Sequence, residues 1–169
     1  MKSTSTSDPS GGLATNSPGA SSSKDAAAIE AVLRQYISLL DAGDADSIST
    51  KMYKAPILFL SPDGTHTAFP DTEAVSKFLK AYLAAQAKSG RTGTEIEKVQ
   101  ISLLSESVAL AYVDYVVKRA DGNTKTGWFY IFQKEADTWR AASLASRDVR
   151  TTEAREACRD VPVEWQLVL

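Results

Sequence analysis

Soft metal ligands are almost missing from this 169-residue chain, which has a single cysteine, Cys158, and a single histidine, His66. One cysteine excludes an internal disulfide, and the two residues together fall short of a common zinc site. An excess of either charge is missing as well. Lys+Arg 19 against Asp+Glu 21 leaves a net charge of −2, so neither a nucleic-acid backbone nor an anionic membrane surface is an expected partner. No apolar run approaches the roughly 20 residues that a membrane-spanning helix needs. What is present, 43% hydrophobic and 24% charged residues, describes a soluble globular chain with enough length for one real core.

Residues 1–24 hold 11 Ser/Thr, three Gly and two Pro, with Leu13 the only large aliphatic residue after Met1. Such a segment cannot bury enough apolar surface to offset its ordering entropy, and a disordered leader is expected. Lys2 is not followed by the apolar stretch of a secretory signal, so a cytoplasmic protein is the expectation.

From Asp25 the pattern changes. Ile29, Val32, Leu33, Tyr36, Ile37 and Leu40 fall on one helical stripe, predicting a helix over about 25–42 with Asp25 as its cap and Gly43 at its end. Asp44 caps a short second helix that stops before Pro56. Ile57 to Leu60 reads as a strand, closed by the turn Ser61-Pro62-Asp63-Gly64 and followed by a short return over about 65–69. Asp71 caps a third helix carrying Val75, Phe78, Leu79, Tyr82 and Leu83, stopped by Ser89-Gly90.

Beyond Gly93 the period shifts toward 2, and turn signals near 105–107, 121–123 and 135–137 divide the chain into four long strands. These run over about 94–104, 107–119, 124–135 and 138–148, as an antiparallel meander. Two of them, VALAYVDYVV and GWFYIF, are apolar at both parities, so both faces of the sheet need cover. Helices cover one face; a second copy of the chain, making a homodimer through the sheet, is expected on the other. After a charged stretch from Thr151 to Asp160, the apolar residues Val161, Val163, Trp165, Leu167 and Leu169 alternate as in a strand. The domain is thus expected over 25–149, with a C-terminal extension over 150–169.

The element order, an α+β cone of three helices packed in a curved antiparallel sheet, comes together with the segment Gln35-Tyr36-Ile37-Ser38-Leu39-Leu40-Asp41-Ala42-Gly43-Asp44-Ala45-Asp46-Ser47-Ile48. With Phe59-Leu60-Ser61-Pro62-Asp63-Gly64, the helix around Phe78 and the strand Gly127–Phe132, it resembles the nuclear transport factor 2-like superfamily. Within it, the ketosteroid isomerases and SnoaL-type polyketide cyclases are most similar. The resemblance covers about residues 25–148 and implies a scaffold that serves isomerases, cyclases, dehydratases and non-catalytic binding domains alike.

Carried over residue by residue, the isomerase pattern places its tyrosine donor on Tyr36. The protonated acid of its oxyanion site falls on Tyr130, and its proton-shuttling carboxylate falls on Ser61. A hydroxyl without a histidine neighbour is a poor base at neutral pH, so steroid isomerase chemistry of the familiar kind is not expected. Asp114, inside the most apolar strand, is the candidate replacement base, because desolvation in a dry cavity would raise its pKa. The alternative is that Asp114 sits at the sheet surface, and a register slip of one residue decides between the two. Asp63 reads as turn chemistry, His66 as a solvent-facing hairpin residue and Cys158 as an inert thiol.

Under the same resemblance Tyr36, Phe59, Phe78, Trp128, Tyr130 and Phe132 converge with Ser61 on the cone interior. The expected function is binding of a hydrophobic or aromatic small molecule, with acid–base catalysis through Tyr36, Asp114 and Tyr130 and no cofactor. The alternative is a non-catalytic interaction or dimerisation domain whose cone is filled by ordinary core side chains.

Overall fold

The computed structural model describes residues 20–147. Most of the Ser/Thr-rich leader, Cys158 and the alternating pattern from Val161 to Leu169 lie outside the described residues.

Helix α1 spans Ala20–Ala42, starting five residues ahead of the expected cap. Asp25 therefore lies inside the helix and has a different role. Its carboxylate accepts hydrogen bonds from Lys134 Nζ at 2.9 Å and Trp139 Nε1 at 3.1 Å, pinning the helix to the far end of the sheet. The apolar stripe does what its spacing predicts: Ile29, Leu33 and Leu40 are buried, and Val32, Tyr36 and Ile37 pack beside them. Each fully buried aliphatic side chain contributes about 1.5–3 kcal/mol.

Gly43, with φ of 71°, turns the chain out of α1 in the left-handed region where glycine meets no steric cost. One residue on, the Asp44 carboxylate accepts the Ser47 backbone N–H at 3.0 Å and caps α2, Ala45–Lys51. Asp71 does the same for α3, Thr72–Lys88, accepting from the Ala74 N–H at 2.8 Å. Both caps stand where the sequence placed them.

The strands are β1 (Tyr53–Leu60), β2 (His66–Phe69), β3 (Arg91–Leu103), β4 (Val108–Arg119), β5 (Thr124–Glu135) and β6 (Thr138–Arg147). They form one curved, unclosed sheet in the order β2-β1-β6-β5-β4-β3. Strands β3 to β6 make the expected meander, but the sheet as a whole is mixed. Strand β1 lies parallel to β6, with Phe59 opposite Leu144. A parallel neighbour requires a long crossover, here supplied by β2, α3 and the meander itself. Strand β1 also starts four residues earlier than its apolar run. Its pairing with β6 is interrupted between Tyr53 and Leu58, the stretch holding Pro56, which has no N–H to donate.

Alternation then sorts the side chains. On β4, Ala109, Ala111, Val113 and Tyr115 face inward and are buried. Their β5 partners Phe132, Tyr130 and Trp128 face the same way. Against this concave face pack α1 and α3, with Val75 and Leu79 on α3. Register shifts at Ile96/Lys98 and Ile131/Phe132 are irregularities of the kind that bend a strand and deepen its twist.

Candidate functional site

A cavity opens between α1, α3 and the concave face of the sheet. It has two connected chambers that share Tyr36, Tyr82, Trp128 and Tyr130. The first, open to solvent, adds Arg91 and Thr94 from β3, Tyr115 from β4 and Thr126 from β5. The second, also open to solvent, adds Tyr53 and Phe59 from β1, Phe78 and Leu79 from α3, and Leu144 from β6. One chamber is thus polar at its rim and the other almost wholly apolar.

Aromatic rings build the apolar chamber. Phe59 meets Phe69 edge-on at 5.0 Å and Phe78 at 5.3 Å between centroids, and Phe78 stacks on Tyr82 at 6.2 Å with the ring planes 16° apart. Edge-to-face and offset contacts of this kind hold rings in defined orientations. Phe78 and Tyr82 keep part of their surface in water, so α3 presents an aromatic lip to solvent rather than sealing the chamber.

Four phenols meet at the junction of the two chambers. Tyr115 and Tyr130 bring their hydroxyls to 3.1 Å. Tyr53 and Tyr36 form a second pair, with rings 6.0 Å apart and inclined at 67°. Burial pushes the phenol pKa of Tyr36, Tyr53, Tyr115 and Tyr130 above the ordinary tyrosine value. All four therefore stay protonated at neutral pH. They can donate to, and so polarise, an oxygen atom placed between them. They cannot serve as bases.

Arg91 carries the only charge among the described residues that line either chamber. Its guanidinium is locked in place. Nε and Nη2 donate to Thr94 Oγ1 at 3.0 and 2.9 Å, Nη1 donates to the Leu40 carbonyl at 3.3 Å, and Nη2 also meets the Asp41 carboxylate. That arrangement ties the end of α1 to the start of β3.

The residues singled out from sequence divide into two groups. Tyr36, Phe59, Phe78, Trp128 and Tyr130 come together around the cavity. Phe132 shares their face but is fully buried one step further along β5, in contact with Tyr130, and lines neither chamber. Ser61 is exposed in the β1–β2 turn, its backbone N–H bonded to the Thr65 carbonyl. Asp63 holds that same turn by accepting from Thr65, and His66 is exposed on β2.

Asp114 is the correction with the largest consequence. It alternates with the inward residues Val113 and Tyr115 and so points to the opposite, convex face of β4. There it accepts the Tyr112 hydroxyl, with Gly127 across from it on β5. The strand's parity excludes it from the cavity.

Tyr53, Tyr82, Arg91 and Tyr115 join the site without having been singled out. Tyr115 had no signal of its own, since its strand is apolar at both parities. Arg91 had none, because a lone arginine after a helix-stopping glycine reads as surface. A wider, open groove is lined by Gln35, Lys51 and the β5–β6 hairpin among others. It contains none of these phenols or aromatic walls.

Comparisons with known proteins agree with this architecture. An NTF2-like protein of cystatin-like fold from Novosphingobium aromaticivorans is similar with a TM-score of 0.65 at 16% identity, over 82% of this chain and 90% of that one. A domain of unknown function and cystatin-like fold from Nostoc punctiforme gives 0.62 at 20% identity, over 85% and 90%. A provisionally named scytalone dehydratase from Novosphingobium aromaticivorans gives 0.59 at 15% identity, over 78% and 89%. At such identities the likeness shows the fold alone. A search among curated proteins gave no significant match. Residues 24–149 match the family described as NTF2-like protein (DUF6841), and with most of its length inside that match the chain belongs to this family.

Proposed function

We propose that this chain binds a flat, hydrophobic small molecule that carries an acceptor oxygen. The observation behind the reading is the meeting of two phenol pairs, Tyr36 with Tyr53 and Tyr115 with Tyr130, at the junction of an aromatic-walled chamber and a polar one. Small-molecule sites usually combine apolar walls with a few fixed polar groups. The rings select shape, and the phenols select an oxygen. The provisional dehydratase name of one structural neighbour is in keeping with ligand binding inside such a cone.

The chemistry of the lining favours binding over proton abstraction. Tyrosines held protonated donate hydrogen bonds, whereas a general base needs a group that accepts a proton at neutral pH. Neither a carboxylate nor an imidazole lines the chambers among the described residues. No described helix is long and apolar enough to cross a bilayer.

The test is a titration with 2-acetylnaphthalene, a flat aromatic ketone, read by the fluorescence of Trp128 in the cavity wall and by native mass spectrometry. Saturable quenching that is lost in Trp128→Phe supports the reading. Tyr36→Phe should then weaken binding by roughly fivefold to tenfold, the worth of one neutral hydrogen bond. A titration with no saturation and no retained mass would sink it.

The convex face supports a second proposal that is compatible with the first, a homodimer formed through the sheet. Across that face Leu60, Ala145, Phe129 and Tyr112 share one cross-strand row, and Leu58, Ser143, Ile131 and Leu110 the next. Leu60, Phe129 and Ile131 are large apolar side chains left exposed at the centre of a sheet, and such patches mark interfaces. Sedimentation should give a dimer whose mass halves in Phe129→Lys; a monomer in the unaltered protein ends this proposal.

A further inference from the structure

Nearly every polar group facing the cavity is a neutral hydroxyl, except one. Arg91 brings a full positive charge to the polar chamber, on the strand that begins directly after α3. Its balancing anion lies outside the lining. Asp41, at the end of α1, meets Nη2 of Arg91.

The two partners of that ion pair are unequally buried. The Arg91 side chain is 11% exposed and the Asp41 side chain 40%. Exchange of the anion is therefore one-sided. If Asp41 swings away, water solvates its carboxylate at little cost, as for other exposed ion pairs. The guanidinium cannot follow into water, because Thr94 Oγ1 and the Leu40 carbonyl hold it in place, and a buried charge without a partner is costly. A second anion arriving from the cavity side would thus find a fixed, planar donor group whose present partner is replaceable. Guanidinium geometry matches a carboxylate, to which it can present two parallel N–H donors.

On this basis we infer that the ligand is an aromatic monocarboxylate, its ring in the Phe59–Phe78–Trp128 chamber and its carboxylate exchanging with Asp41 on Arg91. The inference rests on the binding function proposed above and adds a class of ligand to it. The carboxylate would enter beside Thr94 and Thr126, whose hydroxyls line the same rim. Asp41 acts here as a stand-in that keeps the charge compensated while the cavity is empty.

Two probes of the same shape separate this inference from the reading it rests on. Calorimetric titration at pH 7 with 2-naphthoate and with 2-naphthamide compares an anion with its neutral counterpart. The unaltered protein should prefer naphthoate by about tenfold or more, the ratio expected when a charge-assisted bond replaces a neutral one. Asp41→Asn removes the competing anion and should raise naphthoate affinity about threefold to tenfold while leaving naphthamide where it was. Arg91→Gln should abolish the preference. If that variant does not fold, as judged by circular dichroism, the wild-type ratio and the Asp41→Asn shift decide the matter without it.

Equal affinity for the two probes, or a ratio that Asp41→Asn does not move, overturns the carboxylate inference and leaves a pocket for neutral ligands standing. Binding of neither probe overturns both.

Discussion

The two faces of one strand make opposite use of the same residue types. On β4 the inward hydroxyl, Tyr115, meets Tyr130 inside the core, while the outward hydroxyl, Tyr112, meets the half-buried Asp114. Both are tyrosine hydrogen bonds, three residues apart in sequence. Inside, low polarity makes an unpaired phenol expensive and keeps every phenol protonated. Outside, water can replace either partner. The face a tyrosine occupies, not its residue type, decides which of these two can belong to a ligand site.

The hardest way to break this comparison is to truncate neighbours on opposite faces of β5. Phe132 is fully buried and Ile131 is 43% exposed. Phe132→Ala should cost about 3–5 kcal/mol through lost burial and the cavity left behind, and Ile131→Ala less than about 1 kcal/mol. Urea unfolding of both variants measures the difference, and similar costs would mean that the two faces are equally enclosed.

Hydroxyl deletion sharpens the same contrast at smaller scale. Tyr115→Phe leaves the Tyr130 hydroxyl buried without its partner, at a cost of about 1–3 kcal/mol, whereas Tyr112→Phe releases Asp114 toward water and should cost about 0–1 kcal/mol. Removing both inner hydroxyls, in Tyr115→Phe with Tyr130→Phe, should cost less than the sum of the single changes. Denaturant midpoints for the four proteins test the cycle, and strict additivity would remove the inner pair as a coupled unit.

The extent to which sequence revealed these features follows from the same physics. Helical stripes, the caps at Asp44 and Asp71 and the turn at Ser61–Gly64 were legible because each rests on local spacing or local backbone demands. Strand parity was not, since VALAYVDYVV is apolar at both parities and alternation leaves no mark when both faces are apolar. Asp114 was misplaced as a candidate base for that reason alone. The parallel pairing of β1 with β6 and the Asp25–Lys134–Trp139 contact join residues more than 80 apart, beyond the reach of any local pattern. The resemblance to known relatives placed Tyr36 and Tyr130 in the cavity, but not the partners Tyr53 and Tyr115 that complete the phenol pairs.

The Asp25 contact gives a test at the edge between the faces. The hydrogen bonds from Lys134 and Trp139 hold the Asp25 carboxyl below the usual aspartate range. Because its pKa is lower folded than unfolded, the stabilisation is complete above the unfolded value near pH 4. It is lost as pH falls from there through the folded value. Asp25→Asn should therefore flatten the acid side of the stability profile between about pH 5 and 3 and change its slope little near pH 7. Unfolding midpoints across that range measure it, and parallel profiles would assign the acid sensitivity to other carboxyls.

The smallest expected effect tests the outer pair directly. A Cβ on Gly127 would stand 3.1 Å from the Tyr112 hydroxyl and 3.2 Å from the Asp114 carboxylate oxygen, both far ends of side chains on the convex face. Two terms then oppose each other. Alanine restricts the unfolded chain and favours a strand, contributing about 0.4–1 kcal/mol of stability, while the hydroxyl and carboxylate must shift by a few tenths of an ångström and loosen their hydrogen bond. If the outer pair is as replaceable by water as its exposure implies, Gly127→Ala should be neutral or mildly stabilising and should leave ligand affinity unchanged. A loss above about 1 kcal/mol would place the Tyr112–Asp114 pair among the contacts that hold the sheet together. The convex face would then be more than a surface awaiting a partner, and the contrast between the two tyrosines would narrow to one of ligand access.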